Sequence, residues 1–203
     1  PGGAEAAQEG LSIFTDEVDD KFGLGMAYAN MARVAASKGD LKEKQKYSEK
    51  LKGLIGELPV SFQTGLIFMG MGMAESRQGN YGTATTLFED ALDIFKRLRN
   101  KNFQMVMTSE LGHIARHTGD LNQAKNIYSE TIIGWQDLGH RAAIANQLEC
   151  FAFIAITEEE PQRALKLLGA AEALREKIGS PMANYEVMEY NKEVAQLRAT
   201  IVP

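Results

Sequence analysis

A chain of 203 residues can bury a continuous core without disulfides or metal, and 44% hydrophobic with 24% charged residues is an ordinary globular balance. A formal charge of -5 without a basic stripe argues against direct nucleic-acid binding, which needs clustered Lys and Arg for phosphates, and no apolar run approaches the roughly 18 residues of a membrane span. Cys150 is the only cysteine, so no internal disulfide forms; with no charged-then-apolar leader, the expectation is a cytoplasmic protein.

Hydrophobic periodicity predicts helices over 3–17, 21–38, 41–57, 60–78, 81–98, 101–118, 121–138, 141–157, 161–178 and 182–200. The first carries Ala4, Leu11 and Val18 in register with later second helices. Residues 1–19 therefore read as the second helix of an incomplete repeat, and a chain that opens on Pro1 in mid-repeat reads as cut from something longer. Four helical hairpins follow, at 20–59, 60–99, 100–139 and 140–179, and residues 180–203 close the chain as a capping helix. The whole is expected to form one helical-repeat domain.

The register rests on strings that recur every forty residues: Gly39-Asp40-Leu41, Gly79-Asn80-Tyr81, Gly119-Asp120-Leu121 and the altered Glu159-Glu160-Pro161. Gly ends one helix in the left-handed conformation and Asp or Asn caps the next; Pro161 suits a first helical turn. A second break recurs at Leu98-Arg99, Leu138-Gly139 and Ile178-Gly179. Seven residues before each main break stands a small residue (Ala32, Gly72, Gly112, Ala152), and eight before it an apolar one (Met31, Met71, Leu111, Phe151). Five after it come Lys44, Ala84, Ala124 and Ala164; nine after it come Ser48, Phe88, Tyr128 and Leu168. The small column allows close helix approach and the large column fills the gap. Lys44 and Ser48 depart from the pattern, which predicts looser packing in the first hairpin.

These columns resemble the tetratricopeptide repeat, whose usual period is about 34 residues; the extra residues here lengthen the helices. The resemblance covers nearly the whole chain and is clearest in the second and third repeats. It implies an all-α fold, a right-handed superhelical solenoid of antiparallel helix pairs. A narrower likeness runs from Ala164 to Glu176 and on through Ile178-Gly179-Ser180-Pro181. This stretch looks like the closing repeat of the C-terminal helical-repeat region of bacterial LuxR-type and AfsR-type ATPase transcriptional regulators. That likeness implies a larger parent with a nucleotide switch and a DNA-binding domain, but no Gly-x-x-x-x-Gly-Lys-Ser/Thr loop occurs in these residues.

In tetratricopeptide solenoids the first helix of each pair lines the concave groove. Carried onto this chain, the groove positions are Met26, Ala29, Arg33, Ala36 and Ser37; then Leu66, Met69, Met73, Ser76 and Arg77; then Val106, Ser109, His113, Arg116 and His117; then Asn146, Glu149, Phe153, Ile156 and Thr157. Met69 and Met73 are adaptable apolar contacts, Phe153 an aromatic anchor, and Arg33, Arg77, Arg116, His113 and His117 cationic partners for carboxylates. Ser109 and Glu149 complete the candidate partner-binding set. The expected ligand is an acidic segment with apolar anchors, in a peptide or in another domain of the parent chain. The alternative for each residue is core packing or simple solvation.

Other patterns are weaker. His113 and His117, four apart with Glu110 a turn earlier, have two-histidine metal spacing, but Ile114 stands where zinc hydrolases place Glu; no metal or cofactor is expected. Gly70-Met71-Gly72 lies mid-helix with no preceding strand, so it does not read as a phosphate loop. Cys150 reads as a small buried residue with no His or Asp partner column, Trp135 and Tyr128 as inter-repeat packing, with exposure on the convex side the alternative for Trp135, and Glu158-Glu159-Glu160 as a helix start. In 182–200, Ala183, Val187, Tyr190, Val194, Leu197 and Ile201 form one apolar stripe, which either caps the solenoid or forms a homodimer interface. No nucleophile with a paired base is visible. The sequence therefore reads as a non-catalytic interaction or sensor scaffold from a larger bacterial signalling or transcription regulator, with small-molecule inducer binding in the same groove as the alternative.

Overall fold

The structure is a computed structural model that describes residues 3–16, 20–54 and 58–201. Val18 and the expected end of the third helix at 55–57 lie outside the described residues. All regular structure among those described is helical: α1 (Gly3–Asp16), α2 (Lys21–Ser37), α3 (Leu41–Leu54), α4 (Phe62–Arg77), α5 (Tyr81–Arg97), α6 (Lys101–His117), α7 (Leu121–Asp137), α8 (Arg141–Thr157), α9 (Pro161–Ile178) and α10 (Asn184–Ile201). The limits expected at 17 and 57 fall outside the described residues; the others lie within a helical turn of the sequence expectation. The helices pack as adjacent pairs, α2 with α3, α4 with α5, α6 with α7 and α8 with α9, while α1 packs on α2. The chain divides into two compact units, Pro1–Arg99 and Asn100–Pro203, with the division between the second and third repeats.

The turns show why the hairpins start and stop where they do. Gly39, Gly79 and Gly119 take φ of 74°, 78° and 89°, the left-handed region that glycine enters without steric cost. Asp120 then caps α7 by accepting from the Gln123 amide at 2.9 Å, and Asp40 accepts from the Glu43 amide at 3.0 Å. In the fourth repeat the turn survives the loss of its glycine: Glu159 itself adopts φ 59°. Arg99 does the same, at φ 54°, in the column that holds Gly139 and Gly179.

The small and large columns meet each other. A Cβ placed on Gly72 would lie 2.5 Å from Cε1 of Phe88, and one on Gly112 would lie 2.7 Å from Cε1 of Tyr128. The missing methyl is thus the space the ring occupies, and the two positions are sixteen residues apart in both hairpins. In the fourth hairpin Ala152 and Leu168 share one core cluster, a larger small residue matched by a smaller large one.

In the first unit, Leu11, Tyr28, Met31, Tyr47, Leu51 and Ile67 join α1 to α4 in one cluster. The first hairpin is not loose. Tyr47, one residue before the expected aromatic column, is buried and lies 6.2 Å from the ring of Tyr28. Lys44 reaches the Gln78 amide oxygen and lies 3.8 Å from Glu75, so a polar tie to α4 replaces the alanine contact. In the second unit, Ala115, Ala124, Tyr128, Cys150 and Ile154 hold α6, α7 and α8 together.

Candidate functional site

The first helices of the second unit, α6 and α8, carry most of the candidate residues, and the structure gives nearly every one an internal partner. Ser109 is buried and accepts from the indole N–H of Trp135 at 3.2 Å, which ties α6 to α7. Glu149 is buried and paired through both oxygens with Arg175 of α9, at 2.6 and 2.8 Å. These two side chains serve the packing of the hairpins and are not presented to solvent.

His113 is enclosed between helices. Its Nδ1 lies 2.9 Å from the Tyr128 hydroxyl and 3.6 Å from Sγ of Cys150. Burial, reinforced by the Arg116 charge, brings its pKa down from 6.5 to about 3, so the ring is neutral at ordinary pH. Cys150 is buried as expected, but it does have a histidine neighbour, contrary to the sequence reading. Burial pushes its thiol up to about 12, so the pair is a neutral thiol beside a neutral imidazole. No nucleophilic thiolate arises from it. The register carries only part of the signal: one repeat back, Cys150 corresponds to position 110, a single turn from His113, and the rotation of the two helices decides the rest.

Arg116 and His117 face α10. Arg116 donates from one terminal nitrogen to Glu189, and its guanidinium carbon sits 5.2 Å from the centroid of the Phe153 ring. Only 8% of its side chain is exposed. His117 places Nε2 3.4 Å from the same Glu189 oxygen. Desolvation pulls its pKa below the ordinary value, and Arg116 pulls it further. Desolvation of Glu189 opposes ionisation, but Arg116 outweighs it and holds the carboxyl below its usual range. Phe153 is buried, with Tyr190 edge-on at 6.4 Å. Asn146 donates to Glu186 at 3.0 Å, and Glu186 also accepts from the Ala183 amide at the start of α10.

The apolar stripe of α10 is therefore turned inward at Tyr190, Val194 and Leu197, while the Ile201 side chain lies outside the described residues. Leu197 is buried among Ala152, Phe153, Ala155, Ile156, Ala164 and Leu168, with Tyr190 and Val194 packed beside it. The helix contacts α8 and α9, and through Glu189 it reaches back to α6. It lies on the candidate groove residues of the third and fourth repeats, a location that the sequence expectation of an end cap did not specify.

In the first unit the candidates stand differently. Met69 and Met73 are half-buried on α4, and Arg77 is exposed at its end. The Arg33 side chain lies outside the described residues. Among the described residues no group of three or more His, Cys, Asp and Glu side chains is placed to hold a metal, and no helix is long and apolar enough to cross a membrane.

Comparisons with known proteins agree with this architecture. The tetratricopeptide repeat family model matches residues 67–104. BtubC of P. vanneervenii shares the fold with a TM-score of 0.70 at 16% identity, over 90% of this chain and 74% of its own. The nearly identical TPR-like repeats of a candidate kinesin light chain from Podosopora anserina give a TM-score of 0.60 at 14% identity, covering 90% of this chain and 97% of theirs. A single-substitution variant of those repeats gives 0.71 at 14%, covering 87% and 86%. No curated protein sequence matches the chain. One matched repeat, set among helix pairs that these structures reproduce, gives the chain a tetratricopeptide-like fold.

Proposed function

We propose that the chain is a non-catalytic protein-interaction or sensor scaffold that binds a peptide or partner domain on the first helices of its hairpins. Tetratricopeptide-like repeats generally mediate protein–protein contact. The observation that carries the reading here is the chemistry of the Arg116 face, where an arginine over Phe153 holds a carboxylate delivered by a helix. Met69, Met73 and Arg77 offer soft apolar and cationic contacts of the same kind in the first unit. The likeness of residues 164–181 to the closing repeat of LuxR-type and AfsR-type regulators supports placing the chain in a larger bacterial regulator, where partner occupancy would bias assembly of the parent.

A displayed peptide library selected on the chain tests the binding role. Enriched peptides should carry carboxylates with apolar anchors, and they should lose affinity when Arg77→Glu or Arg116→Glu is introduced. Selected binders indifferent to both substitutions would refute the reading.

A further inference from the structure

The occupant of the Arg116 face is part of this chain, and its attachment is that of a ligand more than of a core helix. Among the described side chains of α10 Leu197 alone is buried, whereas α5 buries Leu87, Phe88, Ile94 and Phe95 among others. What else holds the N-terminal half of α10 is polar or aromatic: Glu186 on Asn146 and, at 3.5 Å, on Arg175 of α9, Glu189 on Arg116 and His117, Tyr190 against Phe153. Positions 186, 189 and 190 are spaced by three and four, one face of a helix. Their sockets on α6 and α8 are first-helix positions of the repeats.

The fit is incomplete at its centre. Nε of Arg116 is buried and meets no acceptor among the described residues, while a terminal nitrogen engages Glu189. Arg175 shows the fuller arrangement in the same unit, with Nε and a terminal nitrogen both on Glu149. A carboxylate approaching Arg116 side-on would use both donors.

Resting on the interaction role above, we propose that α10 is a resident competitor on the recognition face of α6 and α8. The partner that displaces it is an acidic amphipathic helix with two carboxylates three residues apart and an aromatic residue directly after the second. Charge complementarity selects such a helix: two carboxylates meet Asn146, Arg116 and His117, and an aromatic ring meets Phe153.

The test uses the full chain and a fluorescently labelled peptide with the sequence of residues 182–203, read by fluorescence anisotropy. Glu189→Lys sets a cation against Arg116 and frees the face; Tyr190→Ala is a second, milder release. Either variant should bind the peptide about tenfold or more tighter than the unaltered chain, because an occupied face lowers apparent affinity in proportion to its occupancy. Adding Arg116→Glu to either variant should abolish the gain. Equal affinity of variant and unaltered chains, or a gain that survives Arg116→Glu, would overturn the proposal. So would a doubling of mass by light scattering that Glu189→Lys abolishes, since the face would then belong to a second copy. Library peptides that ignore Arg116→Glu but need Arg77 would refute this inference and leave the interaction role standing.

Discussion

Glu149 of α8 and Arg175 of α9 form a two-point ion pair inside the fourth hairpin, with 3% and 9% of their side chains exposed. A pair so enclosed contributes little against a hydrophobic substitute, but removing Arg175 leaves the buried Glu149 carboxylate without its guanidinium, whereas removing Glu149 leaves Arg175 with Glu186 at 3.5 Å. Arg175→Ala should lower the unfolding free energy by about 3–5 kcal/mol, and Glu149→Ala by less, because Glu186 still faces Arg175. Urea denaturation checks this, and a loss under about 1 kcal/mol would show that the stranded charge finds water.

Gly112 and Tyr128 should be energetically coupled. Gly112→Ala forces a methyl into the Tyr128 ring and should cost about 1–3 kcal/mol. In a Tyr128→Leu background, which copies the Ala152 and Leu168 pairing of the next hairpin, the same change should cost at least about 1 kcal/mol less. A double-mutant cycle by thermal or urea unfolding supplies the number. Strict additivity would mean that the ring is not what excludes the methyl.

Glu159 holds a left-handed backbone that an L-residue enters at a cost of roughly 1–2 kcal/mol. Glu159→Gly relieves that strain while loosening the unfolded chain. The net expectation is a gain of about 0.5–1 kcal/mol, seen as a raised unfolding midpoint. A lowered midpoint would show that the glutamate side chain contributes more than its backbone costs.

His113 makes stability depend on pH. Its pKa is lowered in the fold, from 6.5 to about 3, so between those values the unfolded chain binds the extra proton. Stability from this group is full well above pH 6.5 and falls as pH drops toward 3. His113→Gln should flatten the unfolding midpoint against pH over that window. Glu189, with its pKa depressed, adds a further loss only as pH falls through the acid range. An unchanged slope in His113→Gln would mean that the ring is open to protons in the folded state.

The helices, their limits and the pairing columns were readable because each depends on local rules: period, caps and a fixed offset between small and large residues. Cys150 beside His113 escaped notice because their meeting depends on the rotation of two neighbouring first helices, which spacing alone leaves open. Tyr47 was missed for a similar reason: a one-residue displacement along α3 still brings the ring to Tyr28. The docking of α10 was the hardest to read. Its stripe announced that it packs, but choosing between an end surface and the Arg116 face required knowing where Arg116, Asn146 and Phe153 stand together.

Contacts such as Gly72 with Phe88 and Gly112 with Tyr128 span only sixteen positions along the chain. These two hairpins therefore carry their own fastening and need not wait for distant segments to arrive. Assembly from such short-range contacts is intrinsically fast, so a hairpin can register its two helices locally before stacking on the next completes its core.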